Sequence, residues 1–245
     1  MNLYIVTGTT KGLGKALAEG IGASSENELI ALSRAPEQPI PAGTQLEVDL
    51  ASAQAVEEVF DRIEQRIRGK RFAKAVLINN AGVVSPVGPI ERADAAELER
   101  NLFVNLVAPM LIMRRFLRAT EGIALLRRII NISSGAGRKP IAGWAAYCAA
   151  KAGLDMASRA VALDFEASHK PVEIVSLAPG VIDTPMQGVV RSATAADFPD
   201  IERFKQMKAD GTLRPAAEVA ADILRLEAAG KLKGEPVADL RQLLS

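Results

Sequence analysis

Tyr147 and Lys151 sit four residues apart in an Ala-rich run, GWAAYCAAK, so on a helix they share one face, one turn apart. The pairing has a chemical use. A free tyrosine has a pKa of about 10, too high to exchange protons readily near neutral pH. An ammonium about 5 Å away, at an effective dielectric of about 20, favours the phenolate by roughly 3 kcal/mol, or about two pKa units. That predicts a tyrosine usable as a general acid or base. Upstream, Ser134 ends the run RRIINIS, which reads as a strand buried on both faces. A hydroxyl at a strand end could hold a substrate oxygen beside the phenol. The spacing alone is a weak signal, because a buried ring and a solvated ammonium also share a helix by accident.

Bringing such groups together needs strands that end at one edge and helices that return the chain. LYIVT (3–7) is a short apolar strand that stops at TGTTKGLG, and a helical pattern follows to about Ala23. The glycines permit a tight turn and close approach to a ligand, and the helix start offers free N–H groups to a phosphate. Their spacing departs from G-x-G-x-x-G, and a glycine-rich turn without a ligand would look the same. A second strand, ELIALSR (28–34), ends at Ser33 and Arg34, where an NAD site would carry an acid. Arg34 and Lys11 together suit a ribose 2′-phosphate, though two ordinary surface cations would give the same letters.

Residues 35–43, with three prolines, read as a loop. QLEVDL (45–50) is a third strand leading to Asp49, before an amphipathic helix at about 52–68. AVLINNAG (75–82) is a fourth buried strand running into Asn79 and Asn80, followed by one long helix at about 94–118 that contains Asn105 and Pro109. Proline lacks the N–H that would reach the Asn105 carbonyl, which predicts a bend there. The freed carbonyl could hold a water linking Lys151 to solvent; a simple kink that lets the helix follow the core is the other reading. After Lys151 the helix runs to about Ala167, apolar on most of its circumference, which calls for burial on more than one side. VEIVSLA (172–178) is a sixth strand, the polar segment 186–212 resembles a lid, and a helix near 216–229 and a strand near 235–238 close the chain. His169 reads as a surface or helix-end residue.

This alternation predicts an α/β fold: a doubly wound parallel sheet, Rossmann-like, with helices on both faces and one domain over 1–245. Ligands in such folds bind outside the carboxyl ends of the strands, where every residue named above falls. Net charge is +1 and aromatic content 4%, which argues against a nucleic-acid or membrane footprint. One Cys and one His cannot build an ordinary zinc site or an internal disulfide, so no metal is expected. MNLYIVTG lacks the features of a signal peptide, and the expectation is a cytoplasmic protein.

With TGTTKGLG, NNAG, Asn105, Ser134, YCAAK and PGVIDT in this order, the chain resembles the short-chain dehydrogenase/reductase family over essentially its whole length. The resemblance implies Ser134 as substrate-oxygen binder, Tyr147 as proton donor, Lys151 as tyrosine activator and nicotinamide-ribose ligand, and Asn105 as support for a proton relay. It implies that Gly8, Thr10, Lys11, Gly12, Leu13 and Gly14 cover a pyrophosphate. Asp49 and Leu50 would flank the adenine, Asn79 would lie near the adenine-side ribose, and Ile182 and Thr184 would fix the carboxamide. Lys11, Ser33 and Arg34 look like the family's NADP-preferring variants, so the cofactor implied is NADP(H). Trp144, Gly180 and Met186, with Ser134, are the implied substrate neighbours.

Within that family, GWAAYCAAKAGLDM and LAPGVIDTPMQ look like sepiapterin reductases and bacterial benzil reductases. In the former a carboxylate near the C-terminus anchors the pterin; here Asp239 is displaced by about one position, which leaves a diketone-type carbonyl as the substrate expectation. The implied assembly is a homodimer or tetramer. A reductase of acyl-carrier-linked 3-oxo esters and a catalytically silent nucleotide-binding scaffold or sensor are the competing readings. The intact Asn105, Ser134, Tyr147 and Lys151 set speaks against the second.

Overall fold

The computed structural model describes residues 1–34, 43–168, 170 and 172–245. His169 and nearly all of the expected loop at 35–43 lie outside the described residues. The main sheet has seven strands: β1 (Asn2–Thr7), β2 (Asn27–Ser33), β3 (Thr44–Glu47), β4 (Phe72–Asn79), β5 (Ala124–Ile132), β6 (Val172–Ala178) and, after a short pair described below, β9 (Val237–Asp239). They pair in the order β3-β2-β1-β4-β5-β6-β9, and every pairing is parallel. A sheet covered on both faces wants near-continuous apolar strands, and LYIV, LIAL and AVLI are such runs.

Alternation along each strand splits the core into two layers. On β1, Leu3 and Ile5 face one layer with Val59, Phe60 and Ile63 of α2 (Ala53–Ile67). Tyr4 and Val6 face the other, with Leu17 and Ile21 of α1 (Gly12–Gly22) and Ile223 of a later helix, α8 (Ala216–Ala228). The layer of α2 is completed by Ile112, Met113 and Phe116. The expected doubly wound fold is therefore present, with helices on both faces.

The long helix expected at 94–118 is divided. α3 (Ala95–Leu102) passes through a π-helical turn, Phe103–Val107, into α4 (Ala108–Ala119). Pro109 stands in the first turn of α4, where its missing N–H interrupts the ladder that would bond Asn105. A π turn accommodates this by widening the helix by one residue. Asn101 and Asn105 are both fully buried there, and the Asn105 Nδ2 donates to Asn101 Oδ1 at 2.9 Å. β3 is likewise shorter than expected, stopping at Glu47, although the Val48 N–H still donates to the Ser33 carbonyl at 2.9 Å.

After β6 and α5 (Ala145–Ala167), the segment beyond residue 181 forms a small parallel pair, β7 (Ile182–Asp183) with β8 (Arg214–Pro215). Between them lie α6 (Pro185–Arg191) and α7 (Ile201–Ala209), so the lid-like segment is helical. A last turn, α9 (Leu240–Leu244), follows β9.

Under the α8 layer sits a cluster of buried charge. Glu227 is 2% exposed; it accepts from Tyr4 Oη at 2.8 Å, Lys74 Nζ at 2.6 Å and Arg128 Nη1 at 2.7 Å. One carboxylate thus ties β1, β4 and β5 to α8. Removing it leaves buried Arg128 with Glu173 alone and half-buried Lys74 without this partner, which costs about 3 kcal/mol. Glu227→Ala is expected to lose about that much stability in urea unfolding while a conservative exposed change such as Glu218→Ala stays within about 0.5 kcal/mol.

Candidate active site

Parallel strands deliver the chemistry to one edge. Ser134 follows β5 and caps a short 3₁₀ turn, Gly135–Gly137, with its hydroxyl accepting from the Ala136 N–H at 3.2 Å. That turn rests directly on α5. A Cβ on Gly137 would stand 2.9 Å from the carbonyl carbon and oxygen of Lys151, so only glycine lets the serine turn meet the helix backbone to backbone.

Tyr147 and Lys151 lie one turn apart on α5, as their spacing predicts, and both are buried. Tyr147 is hydrogen-bonded with Ser134. The Lys151 Nζ donates to the Ile132 carbonyl at 2.8 Å and lies 5.8 Å from the centre of the Tyr147 ring. Asn105 completes the group from the π turn. Its Oδ1 accepts from the Val83 N–H at 3.1 Å and its Nδ2 donates to the Val83 carbonyl at 2.7 Å, which fastens the loop after β4. A Cβ on Gly82 of that loop would fall 2.8 Å from Asn105 Oδ1 and 3.9 Å from Lys151 Nζ, so amide, ammonium and loop converge.

The electrostatics differ from the sequence-based expectation in one respect. Burial pushes the Tyr147 phenol up to about 12, partly offset by its hydrogen bond with Ser134. Burial also pushes Lys151 down to about 8, with the negative charge of Asp155 pulling the other way. The expected lowering of the tyrosine treated the pair as partly hydrated. With both groups out of water, desolvation outweighs their mutual attraction, and the ammonium is turned towards the Ile132 carbonyl. The resulting phenol is neutral at physiological pH, the form that can give up a proton.

A second region lies at the ends of β1 and β2. The glycine loop is stitched to β4: Asn80 Nδ2 donates to the carbonyls of Thr7 (3.0 Å) and Gly8 (3.3 Å), while Thr7 Oγ1 accepts from the N–H groups of Asn80 and Ala81. Gly8 has φ +74°, and a Cβ there would lie 2.8 Å from Ala81 Cα. α1 begins at Gly12 with no side-chain cap, leaving its first-turn N–H groups available. Thr9 Oγ1 is buried without a hydrogen-bond partner among the described residues. Thr10 and Lys11 are exposed, Leu13 and Gly14 buried. Thr184, which caps α6, closes over this loop, its Cγ2 3.1 Å from where a Gly12 Cβ would sit; Ile182 is buried one strand position away. Ser33 is buried, Arg34 exposed, and Asp49 accepts from the Ala51 N–H at 3.1 Å beside buried Leu50. Asn79 points inward, donating to Asn131 Oδ1 at 2.9 Å.

An aromatic wall faces the phenol. Trp144 meets Tyr147 edge-on at 5.5 Å and stacks on Phe198 at 5.0 Å and 10°. Phe204 tilts against both Trp144 and Phe198. Met186 packs at the margin of this cluster, and Gly180 adopts φ +86° with the Arg241 side chain nearby. The sequence signalled Trp144 but not Phe198 and Phe204; the one available hint was two phenylalanines six apart in an otherwise polar segment. Asn80 was also missed as a fastener of the glycine loop. Asp239 accepts from the N–H, Nε and Nη2 of Arg241 at 3.0, 2.9 and 2.6 Å, so both of its oxygens are paired within its own turn.

Comparison with known proteins agrees with this geometry. A family profile for short chain dehydrogenase matches residues 2–195. The benzil reductase ((S)-benzoin forming) of Bacillus subtilis (strain 168) is 37% identical over 245 residues, covering 100% of each chain. The sepiapterin reductase of Rattus norvegicus is 28% identical over 239 residues, covering 91% of this chain and 89% of the relative. Among solved structures, the KRED1-Pglu enzyme superposes with a TM-score of 0.80 at 25% identity, covering 92% of this chain and 94% of that one. The matched span holds the glycine loop, Asn105, Ser134, Tyr147 and Lys151, and the chain belongs to the short-chain dehydrogenase family.

Proposed function

We propose that this oxidoreductase is an NADPH-dependent carbonyl reductase acting on a small ketone or diketone. The observation that carries the reading is the meeting of Ser134, a buried neutral Tyr147 and Lys151 at one strand edge, opposite the wall of Trp144, Phe198 and Phe204. The family uses NAD(P)(H). A dinucleotide fits the residues present: the uncapped start of α1 and the unpartnered Thr9 hydroxyl suit its phosphates, and Arg34 with Lys11 suits a 2′-phosphate. When bound, the nicotinamide supplies the hydride.

The chain's own residues handle the oxygen. Ser134 holds the substrate carbonyl oxygen, and Tyr147 gives its proton to that oxygen as charge develops there. The positive Lys151 stabilises the phenolate left behind. A water at the Asn105 carbonyl, freed by Pro109, would then link Lys151 to solvent and restore the proton. The aromatic wall favours a substrate with flat apolar surface beside its carbonyl. The printed activity of the 37% relative points the same way, and the pairing of Asp239 with Arg241 supports a diketone over a pterin. Segment 186–212 acts as the lid over this substrate.

We also place the enzyme in the cytoplasm as a homodimer that meets through α4 and α5. Met110 of α4 and Met156 and Leu163 of α5 are exposed large apolar side chains on those helices. No described helix is long and apolar enough to cross a membrane.

Tyr147→Phe should fold normally and lose at least about 100-fold in kcat with benzil as substrate, since acid catalysis contributes that much. Retention of more than a tenth of wild-type turnover, under conditions where chemistry limits, places the proton donor elsewhere. Nucleotide binding without turnover on any member of a carbonyl panel would favour the silent scaffold instead. Arg34→Ala should weaken NADPH binding by about 1.5–3 kcal/mol and leave NADH almost unchanged. Equal losses for both cofactors would remove the 2′-phosphate assignment. Sedimentation at micromolar concentration should give the mass of a dimer, and a monomer there refutes the α4–α5 interface.

A further inference from the structure

Asp155 is buried at 4% exposure on α5, one turn beyond Lys151 and on the same face. A carboxylate out of water is costly unless charge compensates it. Its direct partners compensate only partly. Ser176 Oγ of β6 donates to Oδ1 at 2.6 Å but is neutral, and Arg138 Nε approaches Oδ2 only to 3.4 Å from a partly exposed side chain. Lys151 has the converse difficulty: its hydrogen bond goes to a neutral carbonyl, that of Ile132. Each buried charge is one helical turn from the other, with Cβ atoms about 5–6 Å apart.

The same carboxylate meets two neighbours of the site, Arg138 and Ser176. Arg138 lies just past the Ser134 turn and also donates through Nη2 to the Ala238 carbonyl of β9 at 2.8 Å. Ser176 lies on β6, which leads to Gly180. Behind Arg138 stands Asp239, itself held by Arg241. Charges therefore alternate outward from Lys151 through Asp155, Arg138 and Asp239 to exposed Arg241.

We propose that Asp155 is the positioning residue that keeps Lys151 charged and steadies the Ser134 turn; this rests on the catalytic reading of Lys151 given above. The groups facing Lys151 are the Tyr147 phenol and Asp155 from α5, the Ile132 carbonyl from β5 and the Asn105 amide from the π turn. Those facing Asp155 are Ser176 from β6 and Arg138, with Asp239 of β9 behind it; Arg159, a turn further along α5, is exposed. Asp155 is also the group that opposes the downward push of burial on Lys151.

The test is the pH profile of kcat/KM for carbonyl reduction with NADPH. Reduction needs Lys151 charged, so activity falls as pH rises through its pKa. Asp155→Asn keeps the size and the Ser176 contact but removes the charge. Without that negative charge the ammonium loses its proton more easily, so the falling limb should move to lower pH. Arg138→Gln removes a cation instead, and its limb should move up. A uniform loss at all pH values with the limb in place would overturn the proposal and leave Asp155 merely structural. If Asp155→Asn does not fold, the sign of the Arg138→Gln shift decides: upward supports, fixed or downward overturns. Lys151→Met separates the two readings. Wild-type activity and limb in that variant would remove the catalytic assignment itself, whereas a fixed limb in Asp155→Asn alone removes only the present proposal.

Discussion

Parallel pairing is the constraint from which the site follows. Because each strand of the main sheet runs the same way, all seven carboxyl ends lie on one edge. The loops after β1, β2, β4, β5 and β6 must then share that edge, whatever their sequences. This is why Gly8, Arg34, Gly82, Ser134 and Gly180, scattered along the chain, follow strand ends at one edge of the sheet. Turning any strand round would send its loop to the far side of the molecule. The cost of the arrangement is a crossover for every strand, which the helices on the two faces supply.

Proximity alone does not make a catalytic group, and burial does the remaining work. Out of water, the phenol of Tyr147 holds its proton more tightly and the amine of Lys151 holds its own more loosely. The first effect suits a group that must donate. The second works against a positive lysine, and the negative charge of Asp155 close behind it opposes that loss. The site therefore extends a shell deeper than the atoms that touch substrate, into the polar stripe of α5 and the strands under it.

Local patterns in the sequence were readable because their causes are local. Apolar runs gave the strands, glycine spacing gave the tight turn between β1 and α1, and a four-residue interval placed Tyr147 and Lys151 on one face. What could not be read depends on residues far apart in the chain. The run RRIINIS hides two buried arginines, and Arg128 is accommodated by Glu173 and by Glu227, ninety-nine residues later. Pro109 announced an irregular helix, but the choice of a π turn depends on the buried Asn101–Asn105 pair and the Val83 loop. The direction of the tyrosine shift needed the degree of burial, which no spacing reveals.

The stacking of Trp144 on Phe198 has an optical corollary. Trp144 is the chain's single tryptophan, and it stands between Tyr147 and the two-helix segment that carries Phe198 and Phe204. Tryptophan emission therefore originates at one ring whose neighbours are Phe198 and Phe204. Any event that lifts Phe198 and Phe204 away, or seats a flat molecule in their place, changes the polarity around that indole directly. The chain carries its own fluorophore beside Tyr147, and the colour of its emission reports on the packing around that residue.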